Sequence, residues 1–187
     1  MLTVVYDACV LYSAPLRDLL MQLALEDVFC ARWTDRIQEE WIRNLLTNRP
    51  DLSREQLEHT RQQMESHVID CLVTDYESII ETLELPDPND RHVLAAAIRS
   101  RSTFVVTFNL ADFPHAALKQ YGVKAISPDD FIARLIEFAP KKVIEAARKR
   151  RRALRNPPKS VDEYLGTLAV QRLTKTVKFL REHHNEI

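Results

Sequence analysis

The sequence predicts an α/β fold built on a mainly parallel sheet, followed by an all-helical C-terminal extension. Short apolar segments alternate with amphipathic helical patterns as far as residue 139. Such alternation is typical of a parallel sheet with helices on both faces. From Pro140 onward no strand pattern occurs. We therefore expect an α/β domain over residues 1–139 and a helical extension over residues 140–187.

Four segments have the pattern of buried strands, because each is rich in β-branched or aromatic residues and too short to be a helix. They are LTVVYDA (2–8), FCARW (29–33), TFVVTF (103–108) and VKAIS (123–127). Apolar residues at helical spacing predict helices in the intervals between them. Ser53 with Gln56, and Ser160 with Glu163 in the extension, have the spacing of a capping box, which predicts a helix start at each place.

Acidic residues and one asparagine follow the predicted strands or precede the predicted helices. Asp7 ends the first strand, Asp87 and Asp90 precede the helix that starts HVLAAAI, and Asn109 and Asp112 follow the third strand. Each alone is explained as a helix N-cap or a turn residue. In an open α/β sheet, however, strand ends and the following helix starts share one edge, where ligands bind. Carboxylates gathered there repel one another unless a cation lies between them.

A further acid is expected from the helix over residues 34–48, whose apolar side is built on Ile37, Trp41 and Leu45. Both Glu39 and Glu40 lie outside that apolar stripe. Helical geometry puts Glu40 only modestly nearer to it. The residues alone leave the choice open, and a solvated helix face explains either acid.

The residue composition excludes several kinds of binding and catalytic site. Two glycines are too few for a dinucleotide-binding loop or a P-loop, and there is no G-x-S-x-G nucleophile motif. The three cysteines are far apart and support neither a disulfide framework nor a zinc site. Carboxylate ligands without clustered Cys or His suit Mg²⁺ or Mn²⁺, and the expected substrate of such a site is a phosphate ester.

Four segments together resemble the PIN-domain family of Mg²⁺-dependent nucleases, which includes the VapC-type toxins of toxin-antitoxin pairs. They are VVYDACVLY, WTDRIQEEW, LPDPNDRHVLAAAI and VVTFNLADF. The resemblance covers about residues 2–138 and implies a PIN-like three-layer sandwich. It implies that Asp7, Glu40, Asp90 and Asp112 are the catalytic metal ligands, with Asp87 and Asn109 auxiliary. Many relatives carry an acid where Asn109 stands. The extension is similar to that of a subgroup of these toxins.

Opposite charges separate the two parts of the chain. Residues 140–187 carry 13 Lys and Arg against 5 Asp and Glu, whereas residues 1–139 carry 13 against 22. The densest basic run comprises Arg148, Lys149, Arg150, Arg151 and Arg152. This run is either a phosphate-contacting face for RNA, or a solvated helix or a patch that packs against the acidic body of the protein.

Taken with the acids at the strand ends, the resemblance to PIN-domain proteins implies a Mg²⁺-dependent endoribonuclease acting as the toxin of a toxin-antitoxin pair, with RNA and a cognate antitoxin as partners. The alternatives are an RNA-processing or DNA-directed PIN nuclease, and a catalytically silent PIN domain that binds RNA or a partner protein. No apolar run is long enough for a membrane span and no signal peptide is recognised, so a cytoplasmic location is expected. The oligomeric state stays open, with a homo-oligomer as one option.

Overall fold

The computed structural model describes residues 1–187 and divides into two compact units. Unit 1 comprises residues 1–12 and 29–127, and unit 2 comprises residues 13–28 and 128–187. The second unit therefore takes a helix from the N-terminal part of the chain. The predicted domain boundary after residue 139 falls inside unit 2, and the division into domains at that point stays a prediction.

Unit 1 is built on a four-stranded parallel sheet with the order β2-β1-β3-β4. The strands are β1 (Thr3–Tyr6), β2 (Cys30–Arg32), β3 (Phe104–Val106) and β4 (Lys124–Ile126). In the central pairing, Val5 lies opposite Val105, and both side chains are fully buried. Each strand coincides with a segment predicted from its β-branched and aromatic residues. The predicted α/β class with a parallel sheet is confirmed.

Helices of unit 1 flank this sheet. They are α1 (Ala8–Leu11), α3 (Asp35–Asn48), α4 (Arg54–His67), α5 (Glu77–Ile80), α6 (Arg91–Arg99) and α7 (His115–Leu118). Helix α3 starts at Thr34, whose side chain accepts a hydrogen bond from the Ile37 backbone amide. Helix α4 starts with the predicted capping box of Ser53 and Gln56. Helix α6 packs against β1 and β3, which fixes its start beside the ends of those strands.

The strand order places a topological switch point between β1 and β3. The chain leaves β1 towards β2 on one side and then returns to β3 on the other side of β1. In parallel α/β sheets the loops separate at such a point and leave a crevice at the carboxyl ends of the strands. Asp7 directly follows β1, and Thr107 directly follows β3. Both residues therefore lie at the edge where a ligand is expected.

Unit 2 is entirely helical. Its helices are α2 (Ala14–Ala24), α8 (Pro128–Phe138), α9 (Pro140–Ala153), α10 (Val161–Val170) and α11 (Thr174–Glu182). Helix α9 packs on α2 and α8, and α11 packs on α8 and α10. The capping box of Ser160 and Glu163 is present at the start of α10, as predicted. The helical nature of the C-terminal region is confirmed.

The basic run of α9 is held largely by partners inside unit 2. The Lys149 ammonium lies 2.7 Å from a Glu26 carboxylate oxygen, and Arg150 pairs with Asp18 of α2. Arg151 donates hydrogen bonds to the carbonyl oxygens of Lys159 and Ile187. Arg148 pairs with Glu145 one turn earlier in α9, and the exposed Arg152 makes no ion pair. The reading in which the run packs against acidic residues therefore describes a large part of it.

Glu26 is the acid on which two of these cations converge. It is 4% exposed, and both Lys142 and Lys149 donate hydrogen bonds to its carboxylate. Burial alone would raise the pKa of Glu26, but the hydrogen bonds and charges of Lys149 and Lys142 outweigh burial and lower the pKa. The charged carboxylate is therefore stabilised in the folded state relative to the unfolded chain.

None of the helices combines the length and the hydropathy that a membrane-spanning segment needs.

Replacing Glu26 by Gln is expected to destabilise the protein by about 1–2 kcal/mol at neutral pH, because charge-assisted hydrogen bonds are lost. Since the pKa of Glu26 is lowered in the fold, this contribution should be present above the ordinary carboxyl pKa and vanish as pH falls through the folded value. Urea denaturation of both proteins at neutral and acid pH measures it. Asp27→Asn is the matched control, because Asp27 is an exposed neighbour without an ion pair. Equal losses in the two variants would contradict the assignment.

Candidate functional site

A polar pocket of about 570 Å³ opens in unit 1. Its walls combine carboxylates, amides, arginines and one histidine and hold no aromatic side chain other than that imidazole. The lining residues are Arg36, Glu39, Glu40, Arg43, Asp87, Asn89, Asp90, His92, Asn109 and Asp112. They come from α3, from the start of α6 and from the loop after β3. The pocket therefore lies where the strand order predicts a ligand site.

Asp7, at the end of β1, is 3% exposed, and its charge acts on Asp90 of this group. Its Oδ2 atom accepts hydrogen bonds from the Thr107 hydroxyl at 2.6 Å and from the Cys9 thiol at 3.1 Å. Burial raises the pKa of Asp7, the two hydrogen bonds oppose that rise, and the charge of Glu40 adds to it. Burial and the Asp7 charge raise the pKa of Cys9 to about 12, so the thiol stays a proton donor.

Thr107 ties Asp7 to the loop that follows β3. Its hydroxyl oxygen accepts a hydrogen bond from the backbone amide of Asn109 at 2.9 Å, and the same hydroxyl donates a hydrogen bond to Asp7. The loop continues as a short 3₁₀ turn (Leu110–Asp112), closed by a hydrogen bond from the Asp112 amide to the Asn109 carbonyl. Asn109 and Asp112 are thereby held at the same wall of the pocket.

Asp87 and Asp90 occupy the loop before α6. The Asp87 side chain accepts a hydrogen bond from the Asn89 backbone amide and caps a 3₁₀ turn (Pro88–Asp90). Asp90 is the N-cap residue of α6, but its side chain makes no capping hydrogen bond. Burial, followed by the charges of Asp7, Asp87, Asp112 and Glu40, raises the pKa of Asp90 to about 7. The side chain of Asp90 is therefore the one on which the electrostatic repulsion of the whole group converges.

The two neighbouring glutamates of α3 have different surroundings. Glu39 is held by Arg54 of α4, with hydrogen bonds of 2.9 and 3.0 Å. The Oε2 atom of Glu40 lies 3.3 Å from Nε2 of His92, which is 2% exposed and comes from α6. Glu40 also contributes to the raised pKa values of Asp7 and Asp90. Glu40 is therefore electrostatically part of the acidic group, whereas Glu39 forms an ion pair at its rim.

The donor set fits a hard divalent cation, since its side-chain donors are carboxylate and amide oxygens. Burial, and after it repulsion from the neighbouring carboxylates, raises the pKa of Asp90, and a bound cation offsets repulsion of this kind. No three His, Cys, Asp or Glu side chains converge closely enough in this structure to form a complete metal cage.

Five of the six acids and amides expected at the site line this one pocket, and the sixth, Asp7, is coupled to it through its charge. The six are Asp7, Glu40, Asp90, Asp112, Asp87 and Asn109. Their roles as ligands stay a prediction. The residue pattern did not single out five further contributors: Arg36, Arg43, Asn89, His92 and Thr107. The spacing of Arg36, Glu40 and Arg43 on one helix face could have indicated the two arginines. Nothing in the local sequence marks the contact of His92 with Glu40.

Comparison with protein families gives two matches that divide the chain. A model described as a PIN domain matches residues 3–111, and one described as the VapC50 C-terminal domain matches residues 128–182. The first match spans more than half of the chain and contains five of the six site residues, all except Asp112. The chain therefore belongs to the PIN-domain family. The prediction of a VapC-type PIN protein with a C-terminal extension is confirmed.

A curated relative supports the same conclusion. A protein described as "Putative ribonuclease VapC50", from Mycobacterium tuberculosis (strain ATCC 25618 / H37Rv), is 55% identical over 58 residues. The aligned region is 29% of this chain and 34% of that protein, so the chain spans about a third of the length of the relative it matches. No solved structure is matched.

The stability of the metal-free protein should fall as pH rises through about 7. The raised pKa of Asp90 means that the folded state binds its proton more tightly than the unfolded chain, so stabilisation is present at low pH and lost as Asp90 ionises. Thermal melts in EDTA between about pH 5 and 9 measure this. Mg²⁺ should raise the melting temperature most at the alkaline end, where no proton competes.

Asp90→Asn is the control for this profile, since the amide does not titrate in this range. Its melting temperature should vary less with pH and respond less to Mg²⁺. Identical pH profiles in the two proteins would show that Asp90 does not carry the repulsion of the site.

Proposed function

We propose that this protein is a Mg²⁺-dependent endoribonuclease, the toxin of a toxin-antitoxin pair. The observation that carries the proposal is the group of carboxylates around Asp90 at the switch point of a PIN-domain sheet, where burial and then the charges of these carboxylates raise the pKa of Asp90 to about 7. The relative described as "Putative ribonuclease VapC50" supports ribonuclease chemistry and the VapC assignment. Mn²⁺ would serve in the same donor set.

The proposed metal ligands are Asp7, Glu40, Asp90 and Asp112, with Asp87 and Asn109 beside them. A bound divalent cation would supply Lewis acidity towards the phosphoryl oxygens and a water of lowered pKa. Asp7 is held in one orientation by Thr107 and Cys9, and Glu40 is held beside His92. Such positioning fixes ligand geometry before substrate binds. Asp87 and Asn109 line the pocket, and in this proposal they would orient water beside the metal ligands.

The partners of the proposed toxin are RNA in the cytoplasm and a cognate antitoxin protein. A short neighbouring gene encoding a DNA-binding antitoxin would separate the toxin from an RNA-processing or DNA-directed PIN nuclease. The silent PIN domain that only binds RNA or protein is the less favoured alternative, because a purely binding surface gains nothing from carboxylates that repel one another and their ligand.

The basic run of α9 is proposed to contact RNA only in part. Lys149, Arg150 and Arg151 have partners within unit 2, so their removal would change folding as well as any RNA contact. Arg152 is exposed and makes no ion pair, and Arg148 is half-buried beside Glu145. Arg152 therefore offers the cleanest test of the extension as an RNA-contacting face.

Asp90→Asn should lower the rate of Mg²⁺-dependent RNA cleavage by about 100-fold or more, since removing even a residue that merely orients a ligand costs about 10- to 100-fold. The fold should persist, because Asn retains the size of Asp and its preference for helix N-caps. Cleavage of a labelled RNA together with circular dichroism measures both outcomes. Asp70→Asn is the matched control at an exposed residue outside the pocket. Folded Asp90→Asn protein with unchanged cleavage would refute the site assignment.

Arg152→Gln should lower the slope of log K against log salt for RNA binding by about 0.7, the value of one single-strand phosphate contact. The melting temperature should change little, since Arg152 makes no ion pair. Fluorescence anisotropy titrations over a range of salt concentrations measure the slope. Lys178→Gln, an exposed cation of α11, is the control with the same loss of charge. A slope equal to that of the control would show that the extension does not hold RNA through Arg152.

A further inference from the structure

Two arginines of α3 line the acidic pocket beside Glu40. Arg36, Glu40 and Arg43 are spaced i, i+4 and i+7, so at 100° per residue they lie within about 60° of one another on the helix surface. The 1.5 Å rise per residue puts the two arginines about 10 Å apart along the helix axis, with Glu40 between them. A chain of phosphate groups that runs along α3 and passes Glu40 would therefore lie near one arginine on each side of Glu40.

Neither guanidinium has a direct hydrogen-bonding or ion-pair partner in the protein, although the charge of Arg43 adds to the hydrogen bond from Arg54 in lowering the pKa of Glu39. Arg36 and Arg43 are exposed and form no ion pair or side-chain hydrogen bond. The arginines of α4 and of the turn that joins it to α3 do have partners, which are Asp51 for Arg49, Glu39 for Arg54, and Glu65 and Asp35 for Arg61. The two arginines that face the pocket thus keep their donors free, in a region where carboxylates are available as partners.

We propose that Arg36 and Arg43 form a phosphate clamp that binds the RNA backbone on the two sides of the cleaved bond. This inference rests on the proposed nuclease function, and it assigns the principal RNA-backbone contacts to α3. The planar guanidinium matches phosphate with two parallel hydrogen bonds and stays charged at every physiological pH. The clamp offsets the repulsion between the substrate and the five carboxylates that line the pocket.

The lining of the pocket favours recognition of backbone over bases. Base stacking in single-stranded sites is provided mainly by Phe, Tyr and Trp side chains, and the pocket contains none of them. His92, the imidazole that lines it, is 2% exposed and lies against Glu40. The clamp should therefore bind strands of different sequence with similar affinity. Any selection among RNA sequences must come from contacts outside this pocket.

The test measures RNA binding without cleavage. Arg36→Gln, Arg43→Gln and the double variant are each made in the Asp90→Asn protein and titrated in EDTA. The probe is a fluorescently labelled single-stranded RNA of mixed sequence and about 16 nucleotides, the upper range of single-strand site sizes. Each single variant should weaken binding about tenfold and lower the salt slope by about 0.7, and the double variant by about 1.4.

Arg49→Gln is the matched control, because Arg49 caps the same helix, carries the same charge and pairs with Asp51 outside the pocket. It should keep the salt slope. Arg36→Lys and Arg43→Lys keep the charge and should keep the slope while binding more weakly, which separates phosphate contact from altered folding. If a Gln variant fails to fold, Arg36→Lys and Arg43→Lys still test the clamp, because the loss of the two parallel hydrogen bonds should weaken RNA binding.

The outcomes separate the clamp from the nuclease assignment. The clamp would be overturned if the Gln variants had the same slope of log K against log salt as Arg49→Gln. It would also be overturned if the Gln variants changed only the thermal stability or the binding of a partner protein. Wild-type protein that cleaves RNA with Mg²⁺ would then still be a nuclease. Parent protein that binds no RNA would overturn the clamp as well, and wild-type protein that also fails to cleave would remove the proposed function itself.

Discussion

Mutual repulsion among carboxylates at the carboxyl edge of the sheet is the unfavourable interaction that the rest of unit 1 has to offset. The parallel strands β1 and β3 end side by side, and the chain places acids after each of them. Asp7 can remain there because Thr107 and Cys9 donate hydrogen bonds to it. Asp90 has no side-chain capping bond, and its pKa rises to about 7. The surrounding apolar core, with Val5 and Val105 fully buried, holds this unfavourable arrangement together.

In unit 2 the charge of a buried acid is compensated by basic side chains, unlike the charges of the acids in unit 1. Glu26 is as buried as Asp7, yet Lys142 and Lys149 donate hydrogen bonds to it, and its pKa is lowered. The charge is compensated within the protein, so nothing there calls for an external cation or ligand. In unit 1 the compensation is incomplete on both sides, because acids repel one another while Arg36 and Arg43 stay unpaired. Charges that the fold leaves unpaired are the ones available to a metal ion and to RNA.

The positions of strands and helix starts were accessible from the sequence because they depend on local physics. Apolar β-branched runs gave all four strands, and the Ser53 and Ser160 capping boxes gave two helix starts. The gathering of Asp7, Asp90 and Asp112 followed from one rule, that parallel strand ends share an edge. Local patterns could not divide the chain into units, since α2 joins the C-terminal helices through packing rather than through sequence proximity.

Side-chain periodicity and turn chemistry act over a few residues, so the α/β class, the strands and the acids at the strand ends could be predicted without a structure. The pairing of charged groups could not, because it depends on how the chain packs. Tertiary structure set Glu39 against Arg54 and Glu40 against His92, although the two glutamates are neighbours. It also gave Lys149 of the basic run a partner more than a hundred residues away, in Glu26. Electrostatic pairing depends on distance in space, which residues remote in the chain acquire only when the core packs.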